Sequence, residues 1–340
     1  MSKSYIESTL VRQDLPFEVP LRPQSLDQFL GQNAIRERLE VLIGAAKQRG
    51  ETLTHCLFSG PPGLGKTTLA NILAKAMGTN LVVTSGPVVE KAGDLAGILT
   101  GLKPGDVLFI DEIHRLNRSI EEYLYQAMED FTLDLMIDSG PNARSVQVKI
   151  NQFTLAGATT RLGLLSEPLR TRFGFTCRLD YYDAATLQMI IERAAVLLQV
   201  VIDAPSAMEI AQRSRGTPRV GNHLLRWVRD FAQMRNNNQI DKKLVEQALS
   251  MLSIDERGLD EMDNRILHII VEHYEGGPVG IQTIAASIGE EPSTIEAYEP
   301  YLIMMGLLKR TSRGREVTHL GYEHYEKIKK SKTFNKGWKR

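Results

Sequence analysis

Gly60-Pro61-Pro62-Gly63-Leu64-Gly65-Lys66-Thr67 is the stretch on which the reading of the fold turns. It satisfies G-x-x-x-x-G-K-[ST], and its flanks give it meaning: the apolar run 55–59 before it reads as a buried strand, the helix-period segment 67–77 after it as a helix. In that setting the glycines let backbone N–H groups wrap phosphate oxygens, and the helix adds the positive end of its dipole. Lys66 is placed to reach the β- and γ-phosphates and the Thr67 hydroxyl to take one position on Mg²⁺, with Gly63, Gly65 and Thr68 in the same nucleotide-binding set. A plain Gly/Pro-rich turn is the alternative, and the matching flanks disfavour it.

About 45 residues after Lys66, Val107-Leu108-Phe109-Ile110 ends in Asp111-Glu112. Four apolar residues bury a strand, and two carboxylates emerge at its C-terminal end, where α/β sheets bind ligands. Asp111 suits Mg²⁺ held through water. Glu112 is placed to orient or deprotonate an attacking water, which points to hydrolysis rather than static binding. His114 follows closely, and as a lone histidine it reads as a structural hydrogen bonder.

Outward from this core, residues 55–59, 81–84, 107–110, 153–158 and 175–179 read as strands alternating with helical segments such as 67–77 and 120–131. Such alternation predicts a mostly parallel sheet flanked by helices. Residues 132–138 and 144–150 break the rhythm as an inserted β-hairpin turning through Ser139-Gly140-Pro141-Asn142. After Asp180 the strand signals stop, and 184–198, 206–213, 220–234 and 242–251 carry helical spacing, with Asp203 or Ser206 and Asp241 as caps. Helical patterns at 262–273, 281–288 and 294–305, then an extended basic segment ending near Leu320, predict a winged-helix unit. The domain plan is 1–182 for the large α/β unit with its hairpin at 132–150, 183–255 for a small helical lid, 256–330 for the winged helix, and 331–340 for a disordered basic tail.

At 340 residues more than one core is needed, and 24% charged against 42% hydrophobic residues places the chain among soluble globular proteins. No apolar run reaches the roughly 18 residues of a membrane span, and the N-terminus lacks a signal-peptide stretch, so no membrane association and a cytoplasmic location are expected. Cys56 and Cys177 lie in apolar runs without metal spacing and read as buried thiols. The 41 basic and 41 acidic residues cancel, yet 309–340 holds eleven Lys/Arg against three Glu, a basic end suited to a polyanion.

The phrases FSGPPGLGKTTLA, FIDEIHRL, GATTR, LRTRFG, RGTPR and GGPVG, in this order from near residue 18 to near residue 320, resemble the RuvB family of AAA+ Holliday-junction branch-migration ATPases. The resemblance implies ATP with Mg²⁺ as cofactors and a homo-hexameric ring that pulls duplex DNA at Holliday junctions. It implies RuvA as the partner engaged through the 132–150 hairpin and RuvC as the resolvase of the same complex. By resemblance Leu21 and Arg22 lie on the adenine side, and Glu129, Asp130, Phe131 and Tyr182 contact ATP. Thr160 (in preference to Thr159) is sensor 1, Arg172 the arginine finger and Arg219 sensor 2, while Arg310 and Arg315 contact DNA. A fixed guanidinium stabilises the charge that spreads over the γ-oxygens in phosphoryl transfer. On the hairpin, Leu133, Leu135 and Ile137 alternate with polar residues, which suits either a partner or packing on the sheet.

From the residues themselves, Lys309, Arg310, Arg313 and Arg315 surround the wing and could meet phosphates without reading sequence, and Gly314 between two arginines allows a close backbone approach to a strand. Two departures stand out. Pro292 occupies a position often held by arginine in the family, which puts in question any phosphate contact from that helix start, and the basic tail 327–340, with Phe334 and Trp338, runs past the family pattern. A nucleotide-gated switch or loader is the rival reading, and Glu112 argues against it.

Overall fold

The computed structural model describes residue 6 and residues 15–136, 145–236 and 238–330. The chain forms two units, Leu21–Tyr182 and a second made of the described residues up to Pro20 with those from Asp183 onward. After α1 (Leu15–Leu21), the first unit runs α2 (Asn33–Arg49), β1 (Cys56–Ser59), α3 (Lys66–Met77), β2 (Leu81–Ser85), α4 (Ala92–Thr100), β3 (Val107–Asp111), α5 (Arg118–Glu129), β4 (Thr132–Met136), β5 (Ser145–Lys149), β6 (Thr154–Thr159), α6 (Glu167–Thr171) and β7 (Phe175–Arg178).

Five strands form one parallel sheet in the order β2-β3-β6-β1-β7. The central strands β1 and β6 are buried at every position, as a sheet covered on both faces requires, whereas edge strand β7 alternates buried and exposed. Leu57, Leu108, Ile110 and Leu155 are wholly buried in the core below the site, each stabilising by roughly 1.5–3 kcal/mol. The chain leaves β1 toward β2 at one edge and later leaves β6 for β7 at the other. This reversal opens a crevice at the C-terminal ends of β1, β3 and β6, the place where such sheets bind ligands. Cys56 and Cys177 lie on the adjacent strands β1 and β7 as free, buried thiols. Burial pushes the Cys177 thiol up to about 12 and the Cys56 thiol up as well, so both stay protonated and inert.

β4 and β5 pair antiparallel from Thr132↔Lys149 to Met136↔Ser145. Leu133 is fully buried in the sheet core, so this hairpin residue packs on its own sheet. The turn residues Ser139 to Asn142, the side chain of Leu135, and Ile137 lie outside the described residues.

The second unit contains α7 (Ala184–Leu197), β8 (Val201–Ile202), α8 (Ala204–Gln212), α9 (Pro218–Arg235), β9 (Gln239–Ile240), α10 (Lys242–Met251), α11 (Glu261–His268), α12 (Ile281–Ile288), α13 (Pro292–Met304), β10 (Leu308–Thr311), β11 (Gly314–Val317) and α14 (His319–Lys330). Strands do continue after Asp180: β8 and β9 make a parallel two-residue pair, too short to carry a readable period. Of the two caps considered for α8, Asp203 accepts from the Ser206 backbone N–H at 2.8 Å. Asp241 does the same for Leu244 at 2.8 Å, each cap stabilising by about 1 kcal/mol. The helix read at 262–273 is α-helical only to His268 and passes into a π-turn over Ile269–His273.

The extended segment ends at Val317, and residues 327–330 form the last turn of α14 rather than the start of a disordered tail. Tyr325 anchors that helix, with its hydroxyl 2.8 Å from both Glu272 Oε1 and His268 Nδ1, and Lys329 pairs with Glu272 at 2.7 Å. Residues 331–340, with Phe334 and Trp338, lie outside the described residues. Within this unit Arg215 joins the lid helices to the winged helix. Its side chain is 2% exposed and pairs with Asp263 and Asp260. It also lies over the rings of Tyr298 and Tyr301, 5.2 and 4.8 Å from their centroids. Removing one partner of such a buried cluster costs about 3–5 kcal/mol. Among the described residues no helix is long and apolar enough to cross a membrane.

Candidate nucleotide and DNA sites

The phosphate loop is shaped by its glycines. Gly60, Gly63 and Gly65 adopt φ of 134°, 79° and 102°, and a Cβ would lie 2.4 Å from the Leu179 carbonyl oxygen at Gly60 and 2.9 Å from the Phe29 ring at Gly65. Lys66, its side chain buried, donates from Nζ to the carbonyls of Gly60 and Pro61, both at 2.8 Å. α3 begins at Lys66 with no side-chain cap on its first N–H groups, and Thr67 and Thr68 follow in its first turn. Uncapped N–H groups, a glycine-shaped concavity and a cation suit a phosphate chain. Among the described residues no group of three or more His, Cys, Asp and Glu could hold a metal. A magnesium ion kept mostly by water and phosphate oxygens needs only the Thr67 hydroxyl and Asp111 from the protein.

Asp111 ends β3, and its Oδ1 accepts from the Glu112 N–H at 3.0 Å. Glu112 stands in the left-handed region at φ 47°, a conformation that costs a non-glycine residue of order 1 kcal/mol or more. Its Oε2 accepts from the Thr160 hydroxyl at 3.0 Å and lies 3.1 Å from His114 Nδ1. Thr159 instead meets His114, at 2.9 Å. So the structure brings Glu112 and Thr160 together and sets His114 beside Glu112 and Thr159. Burial holds the His114 imidazole below its ordinary pKa although Glu112 pulls it up.

Leu21 is buried, Arg22 is half-buried and the Tyr182 hydroxyl donates to the Leu64 carbonyl at 3.3 Å. Burial pushes the Tyr182 phenol up, so it remains a neutral donor. Arg172 donates to Pro168 O at 2.7 Å and to Glu129 Oε2 at 3.1 Å, with its guanidinium 4.6 Å from the Tyr125 ring centroid. Two residues named by resemblance, Arg172 and Glu129, are therefore paired with each other. Asp130 is exposed, and Phe131 packs edge-on against Phe153 at 6.1 Å.

Arg219 lies at the start of α9 and its Nε is 3.2 Å from Glu18 Oε1, with His223 Nε2 3.6 Å from the same oxygen. Sequence reading missed Glu18, and the signal that betrays it is burial of a carboxylate among apolar neighbours.

On the wing, Arg310 and Arg315 face each other across the β10–β11 pair. Like charges directly opposite repel. Glu299 resolves the repulsion from α13, its side chain 2% exposed: Arg310 donates to it at 3.0 and 2.6 Å, Arg315 at 2.8 and 3.0 Å. Burial would raise the Glu299 pKa, but the two guanidiniums outweigh it and hold the carboxyl below its usual range. Arg310 keeps 61% of its side chain exposed and Arg315 only 16%. Lys309 pairs with Glu316 at 2.7 Å, and Arg313 is exposed. Gly314 makes its close approach within the chain, since a Cβ at its φ of 147° would lie 2.5 Å from the Val279 carbonyl oxygen. Pro292 occupies the first turn of α13, where its fixed φ suits a helix start.

The description "Holliday junction DNA helicase RuvB P-loop domain" matches residues 21–179, "RuvB AAA lid domain" matches 182–255 and "RuvB C-terminal winged helix domain" matches 256–326. The chain belongs to the RuvB family. It is 74% identical to the "Holliday junction branch migration complex subunit RuvB" of Protochlamydia amoebophila (strain UWE25) over 325 residues, 95% of this chain and 98% of that one. It is also similar to a solved Thermotoga maritima RuvB described as a Holliday junction branch migration motor, at 51% identity and TM-score 0.82, covering 90% of this chain and 98% of that chain. A point mutant of the T. maritima RuvB aligns over the same shares at TM-score 0.84. The RuvB assignment and the α/β P-loop, lid and winged-helix architecture expected from the sequence both hold.

Proposed function

We propose that this RuvB-family chain is an ATP-hydrolysing motor that drives branch migration of Holliday junctions, drawing duplex DNA through a homo-hexameric ring. Its partners in this reading are RuvA, docked through the 132–150 hairpin, and RuvC, acting on the same junction. The observation that carries the reading is the pairing of Glu112 with Thr160 at the mouth of the crevice that the phosphate loop lines. A carboxylate held there is a proton acceptor for water rather than a plain ligand.

ATP with Mg²⁺ supplies the phosphoryl group and the free energy when bound. Lys66 and the first-turn N–H groups of α3 would bind the phosphates, Thr67 and Asp111 would hold the cation, Leu21 and Arg22 would lie on the adenine side, and Glu129, Asp130, Phe131 and Tyr182 would contact the nucleotide. Glu112 orients a water and takes its proton, while Thr160 links that carboxylate to the γ-phosphate side. Arg172 acts in trans on a neighbouring subunit's nucleotide. Its bonds to Glu129 and Pro168 hold the guanidinium ready on α6, and the ring thereby couples its sites. Arg219 senses the γ-phosphate in exchange for Glu18. On the wing, Arg310 meets the DNA backbone and Arg315 supports it, without base contacts that would tie the motor to one sequence.

The test is ATP consumption on duplexes of increasing length. A motor consumes ATP in proportion to the length translocated. A fixed amount per binding event would favour a nucleotide-gated switch.

A further inference from the structure

His114 is not among the residues to which the proposed reaction gives a role, and its placement assigns it one. It lies in the short 3₁₀ turn Ile113–Arg115 immediately after Glu112, with its side chain 8% exposed. Its Nδ1 is 3.1 Å from Glu112 Oε2 and 2.9 Å from Thr159 Oγ1. An ionised carboxylate has no proton to give, so the contact with Glu112 is a hydrogen bond only in the Nδ1–H tautomer, whereas the Nε2–H tautomer would leave Nδ1 to accept from the Thr159 hydroxyl. Thr159 Oγ1 also accepts from the Arg161 N–H at 3.0 Å, which fixes that hydroxyl beside the same ring nitrogen that lies against Glu112.

The different partners of the two threonines follow from strand geometry. Thr159 ends β6 and Thr160 follows it, and successive side chains along an extended chain point to opposite faces. Both cannot reach Glu112 directly. Thr160 does so through its hydroxyl at 3.0 Å, and Thr159 meets His114 Nδ1 instead. Glu112 springs from a left-handed backbone position, outside both the strand behind it and the 3₁₀ turn ahead. Its carboxylate oxygen accepts from Thr160 and lies against His114 Nδ1.

We propose that His114 is a positioning residue for hydrolysis: its Nδ1–H, braced by Thr159, fixes the Glu112 carboxylate where it can engage the attacking water. The proposal rests on the reading of Glu112 as the hydrolytic residue. It predicts an effect on turnover and none on nucleotide capture, because the bonds of Lys66 to Gly60 and Pro61 do not involve His114.

The test uses the full chain with DNA, comparing wild type, His114→Ala, His114→Asn and His114→Gln. Asn can place an amide N–H near the Nδ1 position, whereas Gln places it near Nε2. His114→Ala lowers kcat by about 10–100-fold, the penalty of a misplaced reacting group, with KM for ATP and the affinity for a fluorescent ADP unchanged. His114→Asn restores most of the rate and His114→Gln does not. A second readout is independent of turnover: long-range 1H–15N spectra of the nucleotide-free protein show the Nδ1–H pattern for His114, and Glu112→Ala changes it.

An Nε2–H pattern in wild type, a rise in KM at constant kcat, or equal loss in His114→Ala and His114→Asn overturns the proposal. The two readings fail separately. If Glu112→Gln hydrolyses ATP as wild type does, the role of Glu112 itself is wrong. If Glu112→Gln is inactive while His114→Ala matches wild type, only the positioning role falls. Should His114→Ala not fold, the Asn variant and the tautomer still decide.

Discussion

The phosphate loop and the wing each hold cations in a fixed place, and they are built differently. Around Lys66 the backbone does the holding: three left-handed glycines shape the loop, and the loop's own carbonyls receive the ammonium. On the wing a side chain does it, because Arg310 and Arg315 face each other across the hairpin and are kept in place by the buried carboxylate of Glu299. The difference teaches what holds each cation in place. Glycine backbone sets the geometry of the loop, whereas on the wing removing either guanidinium leaves the buried Glu299 carboxylate underpaired.

Lys66→Ala should give the largest effect, a loss of hydrolysis of at least about 10²–10³-fold, the scale of one lost phosphate-side donor, with little change in Tm. A matching fall in Tm would break the contrast. Glu299→Ala should instead cost about 2–3 kcal/mol of stability in denaturant titration, less than the ~3–5 of a fully buried pair because Arg310 remains solvated. The sign with pH follows from the lowered Glu299 pKa. Its contribution is complete above the ordinary glutamate value of about 4.3 and is lost as pH falls through the lower folded value. Acid unfolding of wild type should therefore steepen below about pH 4.3, and Glu299→Gln should flatten it.

Gly314→Ala should destabilise by about 1–3 kcal/mol, since a positive φ and the Val279 carbonyl both oppose a Cβ. The smallest effect sharpens the division between the two arginines. Arg310→Ala should reduce the slope of log affinity against log salt for duplex DNA by about 0.9, one phosphate contact, and leave stability nearly unchanged. Arg315→Ala should weaken both, because Glu299 loses its more buried partner.

What the sequence made legible follows the same division. The phosphate loop could be read because its strand, turn and helix follow one another directly from Cys56 to Met77, and Asp111 and Glu112 because two adjacent carboxylates close an apolar strand. The five sheet strands were read to within a residue or so, as buried apolar runs must be. The partners escaped because they are distant in sequence. Nothing near Arg310 announces Glu299, nothing near Arg219 announces Glu18, and Glu129 stands 43 residues from Arg172. The pair β8 and β9 was too short to show a period. The last turn of α14 was hidden because its lysines read as tail, whereas Tyr325 and Lys329 pin it to Glu272. Gly314 was read as allowing a close backbone approach to a strand, and within the chain the backbone it approaches is that of Val279.

The most direct test of the motor reading is strand exchange on a synthetic four-way junction with RuvA and ATP, comparing wild type with Glu112→Gln. The expected result is conversion of the junction to duplex products by wild type, while Glu112→Gln binds ATP and leaves the junction intact. Contradiction would be wild type hydrolysing ATP in the presence of RuvA and junction without moving the branch point.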